Sequence, residues 1–269
     1  GANAFNNCSS LAAFDIPDSI VSIGYEAFYN CDGLTELHIP DGIESIGERA
    51  FYDCNNLTSA TVGSTATSIG QYAFGQCNNL TELTVPFVGG TPDDSTGLSY
   101  WFGDQWNMPQ GLRKVTVTNS TTVKDNAFNG MSNLEEIVYE QAITAIGANA
   151  FNNCTSLSSF DIPDTVTSIG YEAFYNCDGL TELTLPNGIE SIGERAFYSC
   201  GGLTSVTVSD TVSSIGYNAF GQCNNLTELT VPFVGGTPDD GNGLSYWFGN
   251  QWDMPRSLRK VTVTSSTTV

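Results

Sequence analysis

The motif Ala-Phe-x-x-Cys recurs at a fixed step of 23 residues in two blocks. Its phenylalanines are Phe5, Phe28, Phe51 and Phe74 in the first block, and Phe151, Phe174, Phe197 and Phe220 in the second. A period between about 20 and 50 residues marks a solenoid, in which each unit buries its apolar face only by stacking on its neighbours. Such a chain is mostly scaffold. Function is therefore sought on its exposed faces and where the repeat is broken.

One clean unit runs from Leu180 to Cys200. Leu183 and Leu185 obey the period of two expected of a strand, so Glu182 and Thr184 face outward. Pro186 ends the strand, and Asn187-Gly188 turns the chain. Ile189 and Ile192 point inward from a short return segment, and Gly193 permits a turn or a close backbone approach. Ala196, Phe197 and Cys200 then sit at spacings that fit one helical or 3₁₀ turn. Phe102, Phe128 and Phe248 extend the phenylalanine series to eleven positions, which predicts about eleven coils in a single domain spanning residues 1–269.

A longer period lies on top. Residues 1–123 match residues 147–269 nearly letter for letter at an offset of 146. Coils stacked at the inter-strand spacing of about 4.8 Å would put equivalent points of the two blocks roughly 30 Å apart, which invites bivalent binding. The chain starts and stops inside a repeat and lacks polar terminal caps, so it is expected to be a segment of a longer protein.

Leu-x-x-Leu-x-(Ile/Val/Leu)-Pro followed by x-x-(Ile/Val)-x-x-Ile-Gly-x-x-Ala-Phe-x-x-Cys resembles the BspA-type, or treponemal-type, leucine-rich repeat. The resemblance covers nearly the whole chain. It implies a leucine-rich-repeat solenoid with a parallel β-sheet on one face and short turns or 3₁₀ segments elsewhere. It also implies a bacterial or protozoan surface protein, with many members described as adhesins or host-protein binders. The family motif is structural and brings no catalytic residue with it.

The formal net charge is -21, from 29 acidic and 8 basic side chains. That field repels nucleic acid and anionic membranes. No apolar run approaches the length of about 18 residues that spans a bilayer.

The eight cysteines share one repeat position: 8, 31, 54, 77, 154, 177, 200 and 223. Stacked coils would bring neighbouring ones within disulfide range. Free thiols are nevertheless expected, because Met131 fills the same slot in the coil of Phe128 and marks it as apolar. A column of thiols does not converge on a point as zinc ligands do, so no metal and no cofactor is expected. A nucleophilic cysteine needs a base, and the single histidine, His38, lies on an outward strand position whose counterpart is Thr184.

Two insertions, residues 86–109 and 232–255, break the rhythm and hold all four tryptophans. The aromatic candidates for binding are Tyr100, Trp101 and Trp106, with their copies Tyr246, Trp247 and Trp252. One reading is that they cover an enlarged coil. The other is that they are exposed, as rigid contact area for a protein or a sugar ring. Trp101 and Phe102 are adjacent and not both expected to point inward, so Trp101 or Trp106 is expected to be exposed. Asp93, Asp94 and Asp104, with Asp239, Asp240 and Asp253, are read as turn-formers. Calcium is the alternative, though the EF-hand spacing is absent.

Outward strand positions form two columns. One reads Ala13, Glu36, Ser59, Glu82, Lys114, Glu136, then Ser159, Glu182, Ser205, Glu228 and Lys260. The other reads Asp15, His38, Thr61, Thr84, Thr116, Val138, then Asp161, Thr184, Thr207, Thr230 and Thr262. The first makes Glu36, Glu82, Glu182 and Glu228 candidates for docking an extended or basic partner. Arg113-Lys114 and Arg259-Lys260 are basic spots that would pair with the insertion's aspartates or meet an acidic partner.

Together these features predict a non-enzymatic, extracellular or cell-surface adhesion scaffold. It is expected to be a monomer that recognises a host or neighbouring-cell protein or glycan. The alternatives are a carbohydrate-binding accessory module of a larger secreted enzyme and a passive structural spacer.

Overall fold

A computed structural model describes residues 1–103, 108–239, 241–249 and 253–265. The chain divides into two compact units, Gly1–Ser120 with Glu136–Gln141, and Thr121–Glu135 with Ala142–Val269. Each is a stack of coils with two parallel ladders.

In the first unit the longer ladder has five strands in order: Glu36–Ile39, Ser59–Val62, Glu82–Val85, Lys114–Val117 and Glu136–Tyr139. In the second it has four: Glu182–Leu185, Ser205–Val208, Glu228–Val231 and Lys260–Val263. The alternation of Leu183 and Leu185 with Glu182 and Thr184 appears as alternating buried and exposed side chains. The predicted outward columns hold across these nine strands: Glu36 pairs with Ser59, Glu82 with Lys114, and Glu182 with Ser205.

Among the described residues there are thus nine four-residue strands, where about eleven coils were expected. The two without a strand are those in which phenylalanine replaces the first inward leucine. Phe14 tilts against Phe5 and Phe28, at 4.6 and 5.2 Å between ring centroids. Phe160 does the same against Phe151 and Phe174, at 4.8 and 6.0 Å. A ring in this slot reaches into the phenylalanine column, and the segment leaves the ladder. Ala13, Asp15, Ser159 and Asp161 therefore do not belong to the strand columns assigned to them from sequence.

The return segment forms a second ladder of two-residue strands. It comprises Ser22–Ile23, Ser45–Ile46 and Ser68–Ile69 in the first unit. In the second unit it comprises Ala145–Ile146, Ser168–Ile169, Ser191–Ile192 and Ser214–Ile215. The glycine that follows each is fixed by close approach. A Cβ on Gly47 would lie 2.6 Å from the carbonyl carbon of Gly24, and one on Gly193 would lie 2.5 Å from that of Gly170.

The Ala-Phe-x-x-Cys segment is a run of turns, where one helical or 3₁₀ turn was expected. In the coil of Phe51, Arg49 and Asp53 have φ of 54° and 63°. These left-handed residues, four positions apart, bend the segment so that every second N–H points at the next coil. Arg49, Phe51 and Asp53 donate in this way to Gln71, Ala73 and Gly75 at 3.0, 2.8 and 2.8 Å. A helical turn would keep those donors within its own coil. Left-handed backbone costs an L-residue roughly 1–2 kcal/mol, and these inter-coil hydrogen bonds offset it.

The core of each unit is a column of rings. Phe28, Phe51 and Phe74 stack at 5.2 and 5.7 Å, nearly parallel. Phe174, Phe197 and Phe220 stack at 5.1 and 5.5 Å.

Candidate binding face

Each residue singled out from sequence has a distinct fate. Trp101 and Trp247 are fully buried, as are Phe102 and Phe248, which corrects the expectation that Trp101 and Phe102 do not both point inward and leaves Trp106 as the other half of the exposure expectation. The cause is the short helix Ser99–Phe102, repeated at Ser245–Phe248. It carries Trp101 into the slot that alanine holds in other coils, since Phe74 N–H bonds to the Trp101 carbonyl as Phe51 N–H does to that of Ala73. The insertion then folds back over the indole. Phe87 meets Trp101 edge-on at 6.4 Å, and Phe233 meets Trp247 at 6.2 Å. Both residues of the Trp-Phe pair thereby point inward. The Trp247 Nε1 donates to the Gly235 carbonyl. Trp106 and Trp252 lie outside the described residues, as do Asp104 and Asp240.

Asp94 acts as a turn-former. Its carboxylate accepts from the backbone N–H of Thr91 and Thr96, at 2.8 and 3.1 Å, and from the Thr96 hydroxyl at 2.8 Å. Asp253 accepts from Gln222 at 3.1 Å. Asp93 and Asp239 are exposed. Among the described residues no group of three His, Cys, Asp or Glu side chains is placed to hold a metal ion. Glu36, Glu82, Glu182 and Glu228 are exposed on the strand face, as expected. Lys114 pairs with Glu136 at 2.9 Å and Lys260 with Glu228 at 3.7 Å, so these lysines neutralise their own column rather than the insertion's aspartates.

The cysteines are free, and all but Cys8 are buried. Each buried thiol donates to the carbonyl of the phenylalanine one coil back, as Cys54 does to Phe28 and Cys177 to Phe151, at 3.2 and 3.1 Å. Burial pushes the thiols of Cys54, Cys177 and Cys223 up to about 12. These are packing groups, not nucleophiles.

The sequence reading missed a feature that the stacking makes plain. Ten of the eleven tyrosines lie on or beside the turn face, five in each unit. They are Tyr25, Tyr29, Tyr52, Tyr72 and Tyr100 in the first, and Tyr171, Tyr175, Tyr198, Tyr217 and Tyr246 in the second. The remaining one, Tyr139, ends a strand. Tyr25, Tyr171 and Tyr217 are 41%, 43% and 42% exposed.

An arginine organises each patch. The Arg49 guanidinium lies 5.8 Å from the ring centroids of both Tyr52 and Tyr72, and 3.7 Å from the Glu26 carboxylate. Arg195 lies 5.2 and 4.6 Å from Tyr175 and Tyr198, with Glu172 at 2.7 Å. Tyr29 stacks on Tyr52 at 5.4 Å, and Tyr175 on Tyr198 at 5.3 Å. Gly75 makes room for the next ring, since a Cβ there would sit 2.7 Å from Tyr52. Tyr100 extends the patch and lines a depression of about 390 Å³ with Gln71, Tyr72, Thr96 and Ser99. Tyr246 meets Tyr217 edge-on at 5.5 Å.

A profile of the BspA type leucine-rich repeat region matches residues 1–88 and 110–234, with six copies. The chain belongs to the BspA-type leucine-rich repeat family. The match leaves out residues 89–109, most of the first insertion. A leucine-rich repeat protein from Bacteroides ovatus has a similar solved structure, with a TM-score of 0.53 and 20% identity over 98% of this chain and 81% of that one. At 20% identity this likeness shows the leucine-rich-repeat fold alone. Two weaker likenesses are the pneumococcal vaccine antigen PcpA and a leucine-rich cell surface protein from Faecalibacterium prausnitzii. PcpA has a TM-score of 0.44 and 20% identity over 90% of this chain and 66% of that one. The F. prausnitzii protein has a TM-score of 0.37 and 20% identity over 95% and 87%. No curated protein sequence matches this BspA-type chain. Among the described residues no helix is long and apolar enough to cross a membrane.

Proposed function

We propose that this BspA-type chain is a non-enzymatic binding scaffold displayed at the cell surface, and that it recognises partner macromolecules through its coil faces. The observation that carries this reading is the pair of tyrosine-arginine patches. The repeat fold does not require tyrosine there. Ala148, Asn149 and Asn152 fill the slots in the coil of Phe151 that Tyr171, Glu172 and Tyr175 fill one coil later. Tyrosine and arginine are enriched where proteins bind partners, because they offer rigid area with a polar edge. The cell-surface setting draws on family membership.

A passive spacer is the competing reading. It accounts for the burial of Trp101 and Trp247 but leaves the tyrosines unexplained. The test is to present the immobilised chain to panels of extracellular proteins and of glycans, beside a variant with Tyr25, Tyr72, Tyr171 and Tyr217 changed to serine. Tyrosine-dependent capture supports the scaffold. Absence of capture from both panels supports the spacer.

A further inference from the structure

We propose that each tyrosine-arginine patch is a docking face for an extended, lysine- or arginine-rich polypeptide segment. This rests on the scaffold reading above and names the partner's chemistry.

The tyrosines are confined to a few coils. In the first unit they occupy the three coils of Phe28, Phe51 and Phe74 and the adjoining helix Ser99–Phe102. The coil of Phe5 carries Ala2, Asn3 and Asn6 in the same slots, and that of Phe128 carries Asp125, Asn126 and Asn129. The patch therefore has edges, as a site does and a general packing device does not.

The two blocks also differ in an instructive way. Where the first reads Gln71-Tyr72, the second reads Tyr217-Asn218. The tyrosine has moved by one residue and stayed on the face. Its local contacts changed with the move: Tyr72 lies against Arg49, whereas Tyr217 donates from its hydroxyl to the Gly249 carbonyl at 2.6 Å. A ring kept while its contacts are exchanged is kept for the surface it presents.

The chemistry of the partner is shown by what the patch already holds. A guanidinium lies 5.8 Å from the ring centroids of both Tyr52 and Tyr72, and another lies 5.2 and 4.6 Å from those of the stacked pair Tyr175 and Tyr198. Cations favour such ring faces, most of all when partly desolvated. Glu26 and Glu48 flank the single Arg49, at 3.7 and 3.9 Å, which leaves an excess carboxylate beside the rings. Glu172 and Glu194 flank Arg195 in the same slots. The whole chain carries a net charge of -21, so diffuse attraction adds to this local preference and speeds encounter. Tyr25 and Tyr171 remain as outward rings for further cationic side chains. A stack of such rings along successive coils suits an extended segment, whose side chains come at regular intervals.

The test uses the full chain and a fluorescent peptide of alternating lysine and proline, about a dozen residues long by order of magnitude. Parallel arms use a glutamate-proline peptide, a serine-proline peptide and a neutral oligosaccharide. The expected result is that the lysine peptide binds at two sites per chain and the other three probes do not. Tyr25→Ser with Tyr72→Ser removes one site, and Tyr171→Ser with Tyr217→Ser removes the other, each with about a tenfold or greater loss of affinity at constant net charge. Hydroxyl-radical footprinting of the unmodified chain needs no variant, and the peptide should protect Tyr25 and Tyr171.

Unchanged binding in the tyrosine variants means attraction to diffuse charge and overturns the proposal. So does absence of lysine-peptide binding. Tyrosine-dependent binding of the oligosaccharide would also overturn the polypeptide assignment while leaving the scaffold reading intact. Only failure to capture anything from the protein and glycan panels counts against the scaffold itself.

Discussion

Phe197 is the most demanding test of the coil stack. It is completely buried, with Phe174 at 5.1 Å on one side and Phe220 at 5.5 Å on the other, at interplanar angles of 7° and 5°. Each neighbour is 23 residues away in sequence. Phe197→Ala removes the ring and leaves a cavity that two adjoining coils border. Buried Phe→Ala changes cost about 3–5 kcal/mol. The upper part of that range is expected here, because both aromatic neighbours lose their partner and each stacked pair is worth about 0.5–1.5 kcal/mol beyond its area. The assay is urea unfolding of Phe174→Ala, Phe197→Ala and the double variant. Repeat arrays can lose two-state behaviour, so the transition is followed both by circular dichroism and by hydrogen exchange. The stack predicts a coupling energy of about 0.5–1.5 kcal/mol between Phe174 and Phe197. Strict additivity would refute the reasoning, since it would mean that the two rings are not neighbours.

Two further expectations follow from the same geometry. The buried thiols should make stability fall in alkali. The folded state holds the protons of Cys54, Cys177 and Cys223 to about 12, while an unfolded thiol releases its proton near the ordinary value of 9.0. Stability is therefore complete below about pH 9 and declines toward pH 12, by up to roughly 1.4 kcal/mol per pH unit for each thiol. Urea midpoints at pH 7, 9 and 10 check this, and alanine at all three positions should make the decline shallower without removing it, since burial also holds up the thiols of Cys77, Cys154 and Cys200. The glycine that ends each short strand should tolerate no side chain. Gly47→Ala places a Cβ 2.6 Å from backbone and is expected to cost about 1–3 kcal/mol, whereas Gly241→Ala, with nothing within 4 Å, should leave the thermal midpoint unchanged.

Much of this architecture was legible in the sequence, for a definite reason. Strand alternation and the 23-residue step are properties of side-chain polarity, and the inward set of Leu183, Leu185, Ile189 and Ile192 is buried as that pattern requires. The turn segment was not legible, because its left-handed positions carry Arg49, Asp53 and Tyr72 rather than glycine. Inter-coil hydrogen bonds fix that conformation, and they do not show in local composition. Phe14 and Phe160 look like conservative replacements for leucine, yet each takes its segment off the ladder. Trp101 was misread because the direction of a side chain on a four-residue helix depends on where Phe87 folds. The tyrosine face lies mostly on unbroken coils, away from the insertions. Its signal was present all along, in the slots around Ala-Phe-x-x-Cys that hold tyrosine in some coils and asparagine in others.

The central claim is that these slots are interchangeable for folding and that tyrosine is placed in some of them for another purpose. Tyr171→Ala with Tyr175→Asn gives the coil of Phe174 the alanine and asparagine that the coil of Phe151 already carries as Ala148 and Asn152. The account predicts a cooperative thermal transition within a few degrees of the parent, about 1 kcal/mol or less, together with loss of one lysine-peptide site. Unfolding of the second unit, or a large drop in its midpoint, would contradict it, because the tyrosines would then belong to the fold.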